Sequence, residues 1–228
     1  MLKKVLKGLG IFLLVTIIAL AAAPFLFKDK IKEMIAKTLN ENVNANIAFE
    51  DVDLSLFKSF PQAHVTIDKL SIINKAPFAG DTLLYAGETN VTMSVKELFK
   101  GEGETMSLES FNAVDGILNI IFNKDGVGNF DIALKEAEEK KPTESKPFSL
   151  DIQKYGVENL KFSYIDEGSN MKMVLDSIYH EGKGNFAAQK LDLETKTTAK
   201  LSFEMEKMNY MNNVGITLDA ILGIDLEK

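Results

Sequence analysis

Few side chains in this chain could do chemistry. Cysteine is absent and histidine occurs twice, at His64 and His180. Without Cys there is no thiol nucleophile, no disulfide and no thiolate metal site. A zinc site would need more ligands at a recognisable spacing than two isolated histidines and scattered carboxylates supply. Both histidines therefore read as ordinary surface or edge residues. Asp51-Val52-Asp53 and the run Asn123–Asp131 gather carboxylates. Neither has the spacing or closing Glu of a calcium loop, and turn chemistry accounts for the second. Gly182-Lys183-Gly184 lacks the strand-to-helix context of a phosphate loop, and Asn90-Val91-Thr92 matches a glycosylation sequon whose Val91 belongs to a strand face. No Ser/His/Asp or Cys/His arrangement emerges from spacing. The chain is expected not to be an enzyme and to hold no cofactor and no metal.

Charge narrows the partners. The formal net charge is −7, and all 26 basic residues are Lys. An acidic chain without Arg has neither the basic face of a nucleic-acid binder nor the bidentate fork that grips phosphate. No nucleic acid is expected as a partner.

The elements that hold the chain in place begin at its N-terminus. Gly8–Phe27 is a run of twenty residues without a charge. As a helix it spans roughly 30 Å, the thickness of a bilayer's hydrocarbon core. A cleaved signal peptide is the competing reading, because Lys3, Lys4 and Lys7 precede the run and Ala21-Ala22-Ala23 lies inside it. The run exceeds the usual h-region of about 7–15 residues, and Pro24 would follow the cut, so residues 1–27 are read as a retained membrane anchor. Lysines on both sides give only a mild bias toward a cytoplasmic N-terminus with the bulk of the chain exported.

Residues 28–40 place Ile31, Met34, Ile35 and Leu39 on one stripe of a short helix. This helix either packs on the following sheet, the favoured role for so narrow a stripe, or lies at the membrane surface with Lys28, Lys30, Lys32 and Lys37 toward headgroups.

From Ile47 the apolar period becomes 2. Ile47 and Phe49 give way to Val52, Leu54 and Leu56 on the other parity, Val65 and Ile67 to Leu70 and Ile72, and Met106 and Leu108 to Phe111 and Ala113. Each one-residue slip has the pattern of a β-bulge, and together they predict a long, strongly twisted antiparallel sheet. Val91, Met93 and Val95 form another alternating strand, as do Leu118, Ile120 and Phe122, followed by a hairpin at Asn123-Lys124-Asp125-Gly126. Residues 45–134 make the first part of the sheet. Residues 135–147, charged and proline-punctuated, make a linker or edge excursion. Residues 148–228 continue the sheet with strands at Phe148–Tyr155, Val157–Ile165, Met171–Leu175, Leu191–Met205 and Ile216–Leu226, and the last reads as a truncated end of something longer.

The apolar positions Ile47, Phe49, Val52, Leu54, Leu56, Val65, Ile67, Leu70, Ile72, Val91, Met93, Val95, Met106, Leu108, Leu118, Ile120 and Phe122 must be buried together, and one short helix cannot cover them. Periodicity alone favours closure into a β-sandwich or barrel. The other solution is an open trough filled by acyl chains, where each buried CH₂ contributes about 0.8 kcal/mol.

The order of parts resembles the N-terminal portion of the AsmA family and its TamB-related periplasmic β-groove proteins. The resemblance is carried by the membrane run, by Ile47–Phe57, Phe60-Pro61 and Val65–Phe78, and by Glu97–Gly101, Asp115-Gly116 and the motif Asp125-Gly126-Val127-Gly128-Asn129-Phe130. It covers roughly residues 1–134. The resemblance implies an inner-membrane, single-pass protein of Gram-negative bacteria facing the periplasm, with an open β-groove, phospholipid and other envelope proteins as partners, and a part in lipid transport and outer-membrane biogenesis. The seventeen apolar residues would then be the lipid-binding face. The alternatives are a membrane-tethered β scaffold that assists outer-membrane protein assembly without carrying lipid, and a closed sandwich that binds a soluble periplasmic partner.

Overall fold

A computed structural model describes residues 28–29, 32–33, 43–56, 62–100, 106–132, 150–185 and 190–225. The anchor at 1–27, most of the 28–40 helix, Phe60-Pro61 and the 135–147 segment lie outside the described residues. No helix among the described residues is long and apolar enough to cross a membrane. Lys28, Asp29, Lys32 and Glu33 are helical.

The chain is mainly β. Its strands are β1 (Ala45–Ala48), β2 (Asp51–Ser55), β3 (Gln62–Asn74), β4 (Thr82–Ser94), β5 (Met106–Phe122), β6 (Leu150–Asp166), β7 (Met171–Lys183), β8 (Lys190–Met205) and β9 (Met208–Asp225). They form one open sheet in the order β1-β3-β4-β5-β6-β7-β8-β9, with β2 beside β1 on β3. Closure into a sandwich or barrel does not occur, since the strand path begins at β1 and ends at β9 without rejoining.

Neighbours are antiparallel with one exception. β5 and β6 run parallel, from Met106↔Leu150 to Phe122↔Asp166. The all-antiparallel expectation fails here because the connection is long. β5 has 17 residues and so runs roughly 55 Å at about 3.3 Å per residue. The chain between Phe122 and Leu150 can stretch to roughly 90 Å and so can return to the start of the sheet. The charged 135–147 segment belongs to this crossover.

Several strands are longer than the sequence pattern suggested. Met106–Ala113 and Leu118–Phe122 are parts of one strand, β5, and 148–155 and 157–165 merge through Gly156 into β6. Val95 does not continue its strand. It opens a 3-10 turn, Val95–Phe99, that begins where the Ser94 hydroxyl accepts from the Lys96 N–H. Inside that turn Glu97 is buried. Burial alone would raise its pKa, but Lys100 at 2.6 Å and the Ser107 N–H at 2.9 Å outweigh it and lower the value.

The slips in alternation are real, and they line up across the sheet. Phe49 and Val52 face one core, as do Ile67 and Leu70. The pairing keeps one register across the first slip, from Ala48↔Ser71 to Asp51↔Asp68, because β3 slips at the same level with Lys69 at φ 52°. Asp115 on β5, Asn159 on β6 and Ser177 on β7 also have positive φ, at 53°, 56° and 50°. These residues form a transverse seam at which each strand exchanges its faces. The Leu108-to-Phe111 slip is a true bulge, marked by a register shift opposite Thr92/Met93.

Beyond β5 the chain turns at Asn123, whose Oδ1 accepts from the N–H groups of Asp125 at 3.0 Å and Val127 at 2.9 Å, with Gly126 at φ 76°. The turn brings Asn129 back beneath the sheet. Asn129 is 2% exposed, and its Oδ1 accepts from the Ile121 N–H at 2.9 Å. Its Nδ2 donates to Asn119 O at 2.9 Å and Asn74 Oδ1 at 3.3 Å, and its carbonyl accepts from Asn74 Nδ2 at 2.6 Å. The side chain thereby ties the end of β5 to the end of β3, which gives the Gly-Val-Gly-Asn motif a structural role.

Candidate functional site

The register places the expected groove residues on one face, but in two different environments. Val52, Leu54, Leu56, Val65, Ile67, Met93 and Leu108 are buried, packed with Ala63 and Leu98. Phe49, Leu70, Val91 and Val95 lie against them, together with Ile152 of β6. This end is a packed hydrophobic core. Ile47, opposite Ile72 on β3, is half-buried like its partner. Leu118, Ile120 and Phe122 are half-buried, and the Phe122 ring meets Phe130 at 5.4 Å and Tyr164 at 5.7 Å. Met106 pairs with Leu150, and its side chain lies outside the described residues.

The same face continues through strands that contributed none of the expected residues. Leu118↔Phe162, Phe162↔Leu175, Leu175↔Leu201 and Leu201↔Val214 carry it from β5 to β9. Phe162, Leu175 and Leu201 are half-buried. At β9 the face reaches solvent, with Val214, Leu218 and Leu222 exposed by 44%, 50% and 45%. The apolar alternation of these strands was legible in the sequence, but their shared face depends on register and on the seam.

One polar strip interrupts this face. His180 Nε2 lies 3.0 Å from the Tyr155 hydroxyl and Nδ1 lies 2.7 Å from Thr197 Oγ1, which links β6, β7 and β8. Burial lowers the His180 pKa, and the neighbouring Glu181 carboxylate opposes the shift. Burial also raises that of Tyr155. The Tyr155 ring covers Gly182, where a Cβ would collide with it, and a Cβ at Gly184 would come within 2.6 Å of Leu191. Those glycines serve close packing. A shallow hollow of about 670 Å³ surrounds the strip, lined also by Phe111, Val157, Lys154, Glu158 and Leu218.

The opposite face is polar over β2–β5. His64 bonds Thr92 Oγ1 and Asn90 Oδ1, both at 3.1 Å, and Asn90 Nδ2 donates to Glu88 at 2.6 Å. Asp53, Asp68 and Asn112 complete a hollow of about 780 Å³ whose lining is unsuited to acyl chains. Neither histidine is an edge residue, as the sequence had suggested. Each is half-buried on an interior strand with both ring nitrogens engaged. Among the described residues no cluster of His, Asp and Glu could hold a metal ion.

Of the four lysines expected at the membrane surface, Lys28 and Lys32 reach into β2. Lys28 Nζ lies 2.7 Å from Asp51 and 3.2 Å from Asp53, and Lys32 Nζ lies 2.6 Å from Asp51. Lys28 first, then Lys32, hold the Asp51 carboxyl far below the usual carboxylate range. These contacts dock the helix on the edge strand. Lys30 and Lys37 lie outside the described residues. No protein-family model matches the chain, and no curated protein matches it.

Proposed function

We propose that this chain is the membrane-proximal part of an AsmA-like periplasmic protein, held at the inner membrane by residues 1–27, that accepts phospholipid acyl chains on the apolar face of its sheet. The observation that carries this reading is the half-open apolar face from Leu118 to Leu222, which lies beyond the packed core and has no second β-layer over it among the described residues. A soluble protein rarely leaves a contiguous apolar surface of this kind without a ligand or partner. Acyl chains fit a surface built from Leu, Phe, Val and Met with few polar interruptions. Transport toward the outer membrane follows from the family resemblance and rests on it.

Native mass spectrometry of the detergent-extracted protein should detect co-purified phospholipid. Charges placed where the face is half-open, Leu175→Asp and Leu201→Asp, should reduce photocrosslinking by an acyl-chain probe severalfold while the far-ultraviolet circular dichroism keeps its β signature. Crosslinking that matches the unsubstituted protein in both variants would sink the reading. Leu54 and Met93 are unsuitable for this test because both belong to the packed end, where a charge reports on folding.

A further inference from the structure

The lysines that dock the helix on β2 also fix which end of the sheet adjoins the N-terminal segment. Lys28 and Lys32 are an i, i+4 pair, one turn apart on one face of the helix. Lys28 Nζ reaches both Asp51 and Asp53, whereas Lys32 Nζ meets Asp51. The helix therefore runs antiparallel to β2, and Lys28, where residues 1–27 join, lies toward the Ser55 end of that strand. Asp53 pairs with Thr66, and Thr66 with Asn90. Ser94 stands four residues beyond Asn90, roughly 13 Å further toward the same end at about 3.3 Å per residue. The connection from β4 to β5 starts there.

That connection opens with the 3-10 turn Val95–Phe99, which is tied down by buried neighbours and yet presents an apolar ring to solvent. Leu98 belongs to the core, and Glu97 accepts from the Ser107 N–H and pairs with Lys100. Phe99 is 67% exposed, and Lys96 is exposed near it. Single exposed apolar residues are common on soluble surfaces. This one is set apart by its place, at the end of the sheet to which residues 1–27 are joined. We propose that the Val95–Phe99 turn is a second membrane contact, with Phe99 inserted at the boundary of headgroups and acyl chains in the bilayer that holds residues 1–27.

This contact rests on the reading of residues 1–27 as a membrane anchor and is independent of lipid carriage by the apolar face. Two contacts separated by the width of β2–β4, roughly 10 Å at about 4.8 Å per strand, orient the end of the sheet against the bilayer. A single-pass anchor by itself leaves the sheet to pivot about Lys28. An interfacial apolar side chain sits about 5–10 Å into the headgroup region, and a neighbouring lysine keeps its ammonium in water by extending its stem. Glu102 and Glu104 follow Lys100 in the sequence. The contact therefore draws on apolar burial and not on net positive charge, and neutral lipid suffices.

The chain contains no Cys, so one introduced thiol can carry an environment-sensitive fluorophore. Full-length Lys96→Cys, labelled in this way and reconstituted in phosphatidylcholine vesicles, should be quenched by lipids that bear a nitroxide near the headgroup. Val127→Cys is the reference, since Val127 is 44% exposed on the turn after Phe122, at the far end of β5 and roughly 55 Å away. Its quenching should be severalfold weaker. Adding Phe99→Ser to labelled Lys96→Cys should bring the quenching down to near the Val127→Cys level with an unchanged circular dichroism spectrum. Vesicle flotation separates the contact from the anchor. Protein that floats with the vesicles while Lys96→Cys is quenched no more than Val127→Cys overturns the contact and leaves the anchor standing. Protein that fails to float overturns both. Quenching of Lys96→Cys that survives Phe99→Ser overturns the insertion of Phe99.

Discussion

Shortening Asn129 to Ala strands the Ile121 N–H and the Asn119 carbonyl in a buried site, because both bond the Asn129 side chain. Leaving such groups unsatisfied costs on the order of 1–3 kcal/mol each. Asn129→Ala should lower unfolding stability by about 3 kcal/mol in a urea titration. Asn129→Asp should be no better, since a carboxylate cannot donate to the two acceptors that Nδ2 serves. The turn around Asn129 was legible from Asn123 and Gly126. Its role as a tie was not, because Asn74 lies 55 residues away. His180 carries a pH signature. Burial lowers its folded pKa, so the unfolded chain takes up a proton first as pH falls. The His180 contribution is fully present above the unfolded value of about 6.5. It declines as pH drops below that value and levels off once pH is below the folded pKa. Comparing melts at neutral and mildly acidic pH should show a steeper loss for the unsubstituted protein than for His180→Gln.

At the scale of elements, the seam of positive-φ residues decides which side chains share a face. A left-handed conformation costs most L-residues roughly 1–2 kcal/mol, and Gly escapes this penalty. Ser177→Val should destabilise by about 1–2 kcal/mol in chemical denaturation, whereas Ser177→Gly should stay within about 0.5 kcal/mol of the unsubstituted protein. Two crossings of the seam were readable because apolar residues flank them, Phe49 with Val52 and Ile67 with Leu70. Those at Asn159 and Ser177 carry the same spacing, Val157 with Leu160 and Leu175 with Ile178, but were not read from it. The parallel β5–β6 pair was hidden because alternation identifies a strand but carries no sign of its direction.

Across the whole molecule, packing falls from a closed core at β2–β5 to an exposed edge at β9. Leu54→Ala at the packed end should cost about 2–5 kcal/mol. Leu218→Ala at the exposed edge should cost less than about 1 kcal/mol, since little packing is lost there. Amide exchange should show the same gradient, slowest in β3 and β4. Composition and period settled that the chain is a β protein without thiol chemistry, because those properties reside in each residue and its near neighbours. They also identified the apolar positions of the first half and three places where the alternation slips. Only the tertiary structure decided that the sheet stays open, that most of the expected groove residues close into a core, and that the accessible apolar face lies on β6–β9. Those outcomes depend on which strands pair and in what direction, and the pairings join residues that local sequence does not relate.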